Sequence, residues 1–487
     1  MKNVFFKTAS LATLGFYAFT VHAQTSPDAA MPANRPAVLP PAPAEAVAGG
    51  RTGAPKSFQT HRWAEDWSAE PEDDAPFTRR LKHISLGQGG AYLTLGGEAR
   101  IYYTDWTHAS LGLRNADSNS PTQTRLRLSA DVHASPYLRA YVEIGDNRET
   151  GETTATAPNQ DKLDLYQAFM DVTVPLSGSQ RLTLRPGRFE MPLGNGKLVG
   201  VREGLNMRYT YQGAQLNYSL ARRASVTLFD VYPVDIQKGT FDDAVNRNTH
   251  FRGGYISLPK AVSGLNLDLY GYESDRVRAT LFEGTGPDQR KSLGARLWQK
   301  SSQWDIDVEM VKQSGTFSTK SIDAYAMMLE AGYRLPNTKY EPRLGLRLNV
   351  FSGDDKAGDN QSGTFVAPAP RLPLISEAGF FNLANLIDVY PSLTLKPVKA
   401  LTLSIGPDFL WRQNAADGVY IGSSGASFTP YGEDRFIGTE MNLEATWQVN
   451  KNLQVKLYET RFIAGDAFKA SGGKDGNYFG VMTGYRF

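Results

Sequence analysis

The sequence predicts an all-β protein, a transmembrane antiparallel β-barrel of 18 strands with short periplasmic turns and long extracellular loops. Three observations lead there. From Tyr92 onward the chain runs in segments of roughly ten residues whose side chains alternate with period two, the mark of strands with two unlike faces. In residues 123–133, Leu126, Leu128, Ala130 and Val132 oppose Gln123, Arg125, Arg127, Ser129, Asp131 and His133. A soluble core would not accept that second face, whereas a wet lumen inside a lipid-facing wall does. Finally, past the N-terminal leader no stretch offers the ~18 consecutive apolar residues of a spanning helix, so any crossing must use a closed sheet, which pairs every backbone group in lipid.

Taken from the N-terminus, residues 1–23 carry Lys2 and Lys7, an apolar run from Ala9 to Val21, and Val21-His22-Ala23 before Gln24. This is the pattern of a secretory signal peptide cleaved after Ala23. Residues 24–60 are rich in Pro and Ala and poor in large apolar side chains. Such a segment cannot repay its ordering entropy and is expected to be a disordered periplasmic arm. Residues 61–487 are then the barrel.

Tight polar turns are expected at 135–136, 177–180, 221–224, 261–264, 300–303, 336–341, 397–400 and 450–452. They make eight hairpins, each followed by a longer polar loop. A first strand at 92–106 and a last at 478–487 bring the count to 18. An even count lets the first and last strands pair antiparallel and close the sheet, with both termini in the periplasm. In the closing stretch YFGVMTGYRF, Phe479, Val481, Thr483, Tyr485 and Phe487 would face lipid, and Gly480, Gly484 and Arg486 the lumen. Trp447 beside a turn, and Phe409 and Trp411 near a loop, fit interfacial girdles. A soluble sandwich or propeller also gives short strands, but its loops need not alternate short and long.

The chain has 52 Lys and Arg against 50 Asp and Glu; without Lys2 and Lys7 the balance is 50 against 50. No global basic field exists, and no nucleic-acid partner is expected. Cysteine is absent, which excludes disulfides, thiol catalysis and cysteine-metal sites. The six histidines are scattered, with no HExxH and no GxSxG elbow. The chain reads as no enzyme, with no cofactor.

On the polar parity lie Arg100, Arg125, Arg127, Arg139, Arg185, Arg296 and Arg347, facing acids such as Glu98, Asp131, Glu143, Asp307 and Glu440. Arginine forks bind carboxylates bidentately, so the row either carries an anionic solute or pairs with nearby acids to fill a wide, wet lumen. The longest loop, 352–386, contains GDDKAGDN and APAPRLP, and another spans 191–210. Loops above about fifteen residues are usually functional; these would be either a plug or gate, or extracellular cover. Asp354, Asp355 and Asp359 lack the spacing of an EF-hand and read as solvated turn carboxylates.

Two stretches add a family to the barrel. RPGRFEMPLGNGKLVGVREGLNMRYTYQGAQ (185–215) and FFNLANLIDVYPSLTLKP (380–397), with DFLWRQNAADGVY and AGD after it, resemble blocks of the alginate-export outer-membrane family. The similarity runs from RWAEDWS at Arg62 to the final Tyr-Arg-Phe. It implies an 18-stranded barrel in the bacterial outer membrane that exports a polyuronate through a basic lumen. By resemblance, Arg188, Lys197, Arg202 and Arg208 join the polyanion path; Arg125 and Arg127 join it on chemistry alone. GTFVAPAPRLP departs from the family's form in the long loop. The expected function is passive export of an anionic, alginate-like polysaccharide, with partners in the lipid bilayer and the periplasmic export machinery. The alternatives are a substrate-selective porin taking up small organic anions or aromatic acids, and an adhesive barrel with a closed lumen.

Overall fold

The computed structural model describes residues 58–68, 80–87, 90–113, 118–152, 158–220, 223–371, 373–422, 426–428 and 432–487. The expected signal peptide and all but the end of the Pro/Ala-rich segment lie outside these described residues. The described chain forms an antiparallel barrel of 18 strands. In order they are β1 (Tyr92–Thr107), β2 (Thr122–Ser135), β3 (Leu138–Thr150), β4 (Asp161–Pro175), β5 (Gln180–Phe189) and β6 (Tyr211–Leu220). There follow β7 (Ala224–Asp235), β8 (Thr249–Val262), β9 (Leu265–Leu281), β10 (Gly284–Lys300), β11 (Trp304–Phe317) and β12 (Lys320–Arg334). The last six are β13 (Arg343–Phe351), β14 (Leu386–Val398), β15 (Leu401–Trp411), β16 (Phe436–Gln448), β17 (Leu453–Ala464) and β18 (Gly476–Arg486).

All eight predicted turns join consecutive strands at one end of the barrel. The lipid face follows the predicted parity: Leu126 and Leu128 are each 56 % exposed, with Ile101, Val142, Leu293, Met310, Leu344 and Ile405 on the same outer surface. At the other end the expectation of a longer loop after every hairpin fails twice. Phe282-Glu283 joins β9 to β10, and Ser318-Thr319 joins β11 to β12. These strands reach 17 residues, beyond the ~9–11 that cross the hydrocarbon. Polar residues that resemble a loop stay inside the sheet, as where Arg252 donates to Glu273 at 3.0 Å.

Closure is direct. β1 pairs with β18 from Glu98↔Arg486 to Thr107↔Asn477. Beyond the strand, Phe487 exchanges two backbone hydrogen bonds with Gly97, at 3.0 and 3.1 Å. Gly97 lies on the lipid side, and a side chain there would collide with the Phe487 ring. The terminal aromatic covers the backbone at the seam where glycine leaves it bare.

The lumen is not the wide, wet bore that unpaired wall charges suggest. Three segments enter it: the N-terminal segment 58–68, the loop 190–210 and the loop 352–385. Trp63 and Trp67, Leu198 and Val199, and Phe365 and Ile375 are buried inside. The two loops join in parallel, Gly200 N–H donating to Ala369 at 2.8 Å and Ala369 N–H to Leu198 at 3.0 Å.

Deleting Phe487 removes two seam hydrogen bonds and the cover over Gly97. The truncated protein should insert poorly, giving a reduced folded fraction in a heat-modifiable gel-mobility assay; folding at wild-type yield would count against the seam's importance.

Candidate functional site

Strand alternation points Glu98 and Arg100 of β1, Arg125 and Arg127 of β2, and Glu143 of β3 into the lumen, where all five are buried. The loop 190–210 brings Glu190, Glu203 and Arg208 to meet them. Arg125 donates to the carbonyls of Asn206 at 2.8 Å and Leu205 at 2.7 Å, and to Glu98 and Glu203 at 3.2 and 3.0 Å. Arg100 donates to the carbonyls of Glu203 and Leu205 at 3.0 and 3.1 Å. Asn206, fully buried, donates in turn to the carbonyls of Thr124, Arg148 and Asn159. The tip of the loop is thus bound to the wall mostly through its backbone.

Two glutamates organise the charges. Glu190 accepts from His61 at 2.8 Å, Trp63 at 3.1 Å, Tyr166 at 3.1 Å and Arg208 at 3.2 Å. Burial alone would raise its carboxyl, but Arg208, His61 and Arg127 bring it to about 2. Glu203 receives Arg208, Arg125 and Arg100, the last at 3.5 Å, yet its side chain is still 33 % exposed. The three guanidinium groups hold its carboxyl well below the usual range, against the effect of burial.

The six nominated basic residues divide. Arg125, Arg127 and Arg208 converge on these glutamates; Arg127 stacks over Tyr166 at 3.9 Å and lies 3.6 Å from Glu143. Lys197 reaches the opposite wall, 3.4 Å from Asp307 of β11 and 3.4 Å from Glu330 of β12. The loop therefore spans the lumen. Arg202, at φ 56°, stacks on Tyr209 at 4.6 Å and has no carboxylate within ion-pair distance among the described residues. Arg188 stands apart. Arg185 and Phe189 occupy the lumen parity of β5, so alternation turns Arg188 outward, where it donates to the Leu165 carbonyl at 2.8 Å.

Arg202 faces a cavity of about 550 Å³ on the loop side of the plug. Tyr102, Trp106, Tyr478, Phe365 and Phe381 contribute rings to it, and Arg276 and Glu377 contribute charge. The long loop that forms its floor is clamped by residues of the two later sequence blocks. Asn385, at φ 47°, donates to Asn414 and Gly418 carbonyls at 3.0 and 2.9 Å. Asp417 accepts from Thr364 at 2.6 Å, Asp354 N–H at 3.0 Å and Tyr420 at 3.0 Å. Asp354 is consequently not the solvated turn carboxylate expected: it is 5 % exposed, accepts from Gly363 N–H at 3.0 Å, and burial pushes it up to about 6. Asp355 remains exposed. Sequence reasoning missed Glu190, Glu203 and Asn206; the basic run around them drew attention to the cations instead of their partners.

The family model described as alginate export matches residues 91–482. No curated protein matches the sequence significantly. Among solved structures, OccK9 (OpdG) of Pseudomonas aeruginosa is similar with a TM-score of 0.55 at 11% identity, over 81% of this chain and 98% of that one. OpdO of the same organism gives 0.54 at 13% identity, over 81% and 97%. OccAB4 of Acinetobacter baumannii gives 0.54 at 11%, over 81% and 97%. At these identities the likeness is one of fold.

Two expectations follow for the plug. Removing one partner of a buried charge network costs about 3–5 kcal/mol, enough to shift a plugged-to-open equilibrium by roughly 10²- to 10³-fold or more. Arg125→Ala should therefore raise single-channel open probability in planar bilayers while leaving the barrel's gel shift intact; unchanged gating would show the network is not what holds the loop. The second concerns Glu377, whose carboxyl burial pushes up to about 7, with Glu444 adding and Lys456 opposing. A raised folded pKa means the protonated form favours the inward loop below about pH 4.5, and that contribution fades as pH rises toward 7. Gating events should become more frequent across that window, and Glu377→Gln should flatten the profile.

Proposed function

The chain belongs to the alginate-export family, and we propose that this outer-membrane channel exports an anionic polysaccharide of the polyuronate class. The observation that carries this is the setting of Glu203. Three arginines, 100, 125 and 208, converge on one partly exposed carboxylate borne by a loop. A uronate carboxylate has the same charge and the same pair of acceptor oxygens, and arginine forks bind it in the same manner. Glu203 thus stands where a polymer carboxylate would be held, and exchange of one for the other opens the loop as it admits the chain. Arg202, stacked on Tyr209 without a carboxylate partner among the described residues, offers the next contact on the cavity side. Successive contacts of this kind bind well enough to admit a polymer and loosely enough to release it. Periplasmic export partners would deliver the polymer, and the Pro/Ala-rich segment preceding the barrel is the proposed contact for them.

A second reading rests on the cavity. Its volume of about 550 Å³ and ring-lined wall suit a small ligand, which favours uptake of small organic anions or aromatic acids through the same arginines. Liposome swelling with such acids, compared against uronate oligomers, separates the two.

In planar bilayers, the polymer channel should prefer anions and be blocked by oligouronates. Glu203→Gln removes the competing carboxylate, so block should strengthen by about tenfold, equivalent to ~1.4 kcal/mol. Cation preference with no oligouronate block would sink polymer export.

A further inference from the structure

Away from the plug, a second carboxylate group lies where β4 begins. β5 stops pairing with β4 at Ala168↔Arg188, which leaves the edge of residues 161–167 open on that side. The loop 236–248 takes over, Phe241 N–H donating to the Leu163 carbonyl at 3.2 Å. The fold there brings together Asp161 and Asp164 of β4 with Asp242 and Asp243 of the loop, one oxygen from each lying within 4.8 Å of all the others.

Hydrogen bonding accounts for only part of this grouping. Asp164 is satisfied, accepting from Leu165 N–H at 2.6 Å and from the N–H groups of Asp242 and Asp243 at 2.8 and 3.3 Å. Asp243 accepts from Gln237 N–H at 2.8 Å and lies 3.9 Å from Arg188. Asp161 is different. It is 1 % exposed, its carboxylate is aimed into the group, and its buried Oδ1 has no hydrogen-bond partner among the described residues. Its cross-strand neighbour Asn147 is fully buried with both amide atoms unpartnered. Among the described residues, ion pairing to the four carboxylates amounts to Arg188 alone. A buried carboxylate without partner costs several kcal/mol unless a cation meets it or it takes up a proton.

We propose that Asp161, Asp164, Asp242 and Asp243 form a calcium site that fastens the loop 236–248 to the open edge of β4. All four donors are hard oxygens, which selects Ca²⁺ or Mg²⁺ over softer metals. Ca²⁺ bonds oxygen at about 2.3–2.6 Å, so donors on opposite sides stand up to ~5 Å apart, whereas Mg²⁺ at about 2.0–2.1 Å needs them within ~4.2 Å. The four oxygens lie within 4.8 Å of one another, a span that Ca²⁺ accommodates, and a group of four carboxylates suits Ca²⁺ better than Mg²⁺, which usually keeps several waters and takes one or two carboxylates. The Asn147 amide oxygen, beside Asp161, is available as a further donor. Loop residues just before Asp161 touch the plug, the Asn159 side chain accepting from Asn206 N–H at 3.2 Å, so the site also buttresses the wall that holds the plug tip.

The test is calorimetric titration of CaCl₂ into the full-length detergent-purified protein after chelator treatment, in parallel with MgCl₂. One Ca²⁺ per chain is expected, with Kd at or below the ~10⁻⁴–10⁻³ M of extracellular sites and weaker Mg²⁺ binding. The pair Asp161→Asn with Asp242→Asn should weaken Ca²⁺ at least tenfold, and Asp355→Asn, an exposed acid of another loop, should not. If the pair fails the heat-modifiability check for folding, Asp242→Asn alone, at the exposed member, carries the same expectation. No uptake of Ca²⁺ at millimolar concentration, binding unchanged in the folded variant, or equal affinity for Mg²⁺ would overturn the proposal.

Discussion

Ten residue pairs, from Glu98↔Arg486 to Thr107↔Asn477, join the first strand to the last. In hydrocarbon no water satisfies a bare N–H or C=O, so an open sheet edge is prohibitive and closure is compulsory. Once the sheet is closed, the period of two allots one parity of every strand to lipid and the other to the interior. The charges on that second parity, Glu98, Arg100, Arg125 and Arg127 among them, are turned inward. The composition of the lumen is therefore a consequence of the seam.

That inward crowding of charge explains why loops fold into the bore. Arg100, Arg125 and Arg127 on the wall need partners, and the wall itself supplies Glu98 and Glu143 beside them. The loop 190–210 adds Glu190, Glu203 and Arg208, which makes four arginines and four glutamates in one cluster. The N-terminal segment adds His61 and Trp63 to Glu190 from the turn side. Such a network differs in kind from the sheet. Sheet hydrogen bonds have no alternative in lipid, whereas buried ion pairs carry a desolvation cost close to their attraction. Several of its atoms, including all three Arg127 nitrogens, lack a hydrogen-bond partner among the described residues. A rigid wall and an exchangeable plug are the parts a gated channel requires.

The sequence blocks gain physical meaning in this frame. Asn385 and Asp417 stand at the base of the long loop and hold it by backbone groups. Arg412 in the same block donates to the carbonyls of Ala415 and Gly432 at 2.7 and 2.9 Å. These residues shape a loop instead of lining a path, and their side chains are spent on carbonyls that a structureless loop would leave to water.

The sequence by itself determined the barrel: alternation, eight tight turns and a closing aromatic strand fixed the strand number, the lipid face and the pairing of β1 with β18. These are local or near-neighbour properties, and period two leaves no freedom once one face must meet lipid. It also picked out Arg125 and Arg127 by parity and chemistry, and Arg208 by resemblance to the family's loop. Only the tertiary structure decided what those arginines touch, because their carboxylate partners lie from five to 110 residues away along the chain, as in Arg208 with Glu203 and Arg208 with Glu98. It turned Arg188 outward, kept two loop-side connections short, buried Asp354 and drew four aspartates together across two elements. Charge pairing across a lumen has no period in sequence. It is set by which loops fit inside a closed wall, and that becomes definite only when the wall exists.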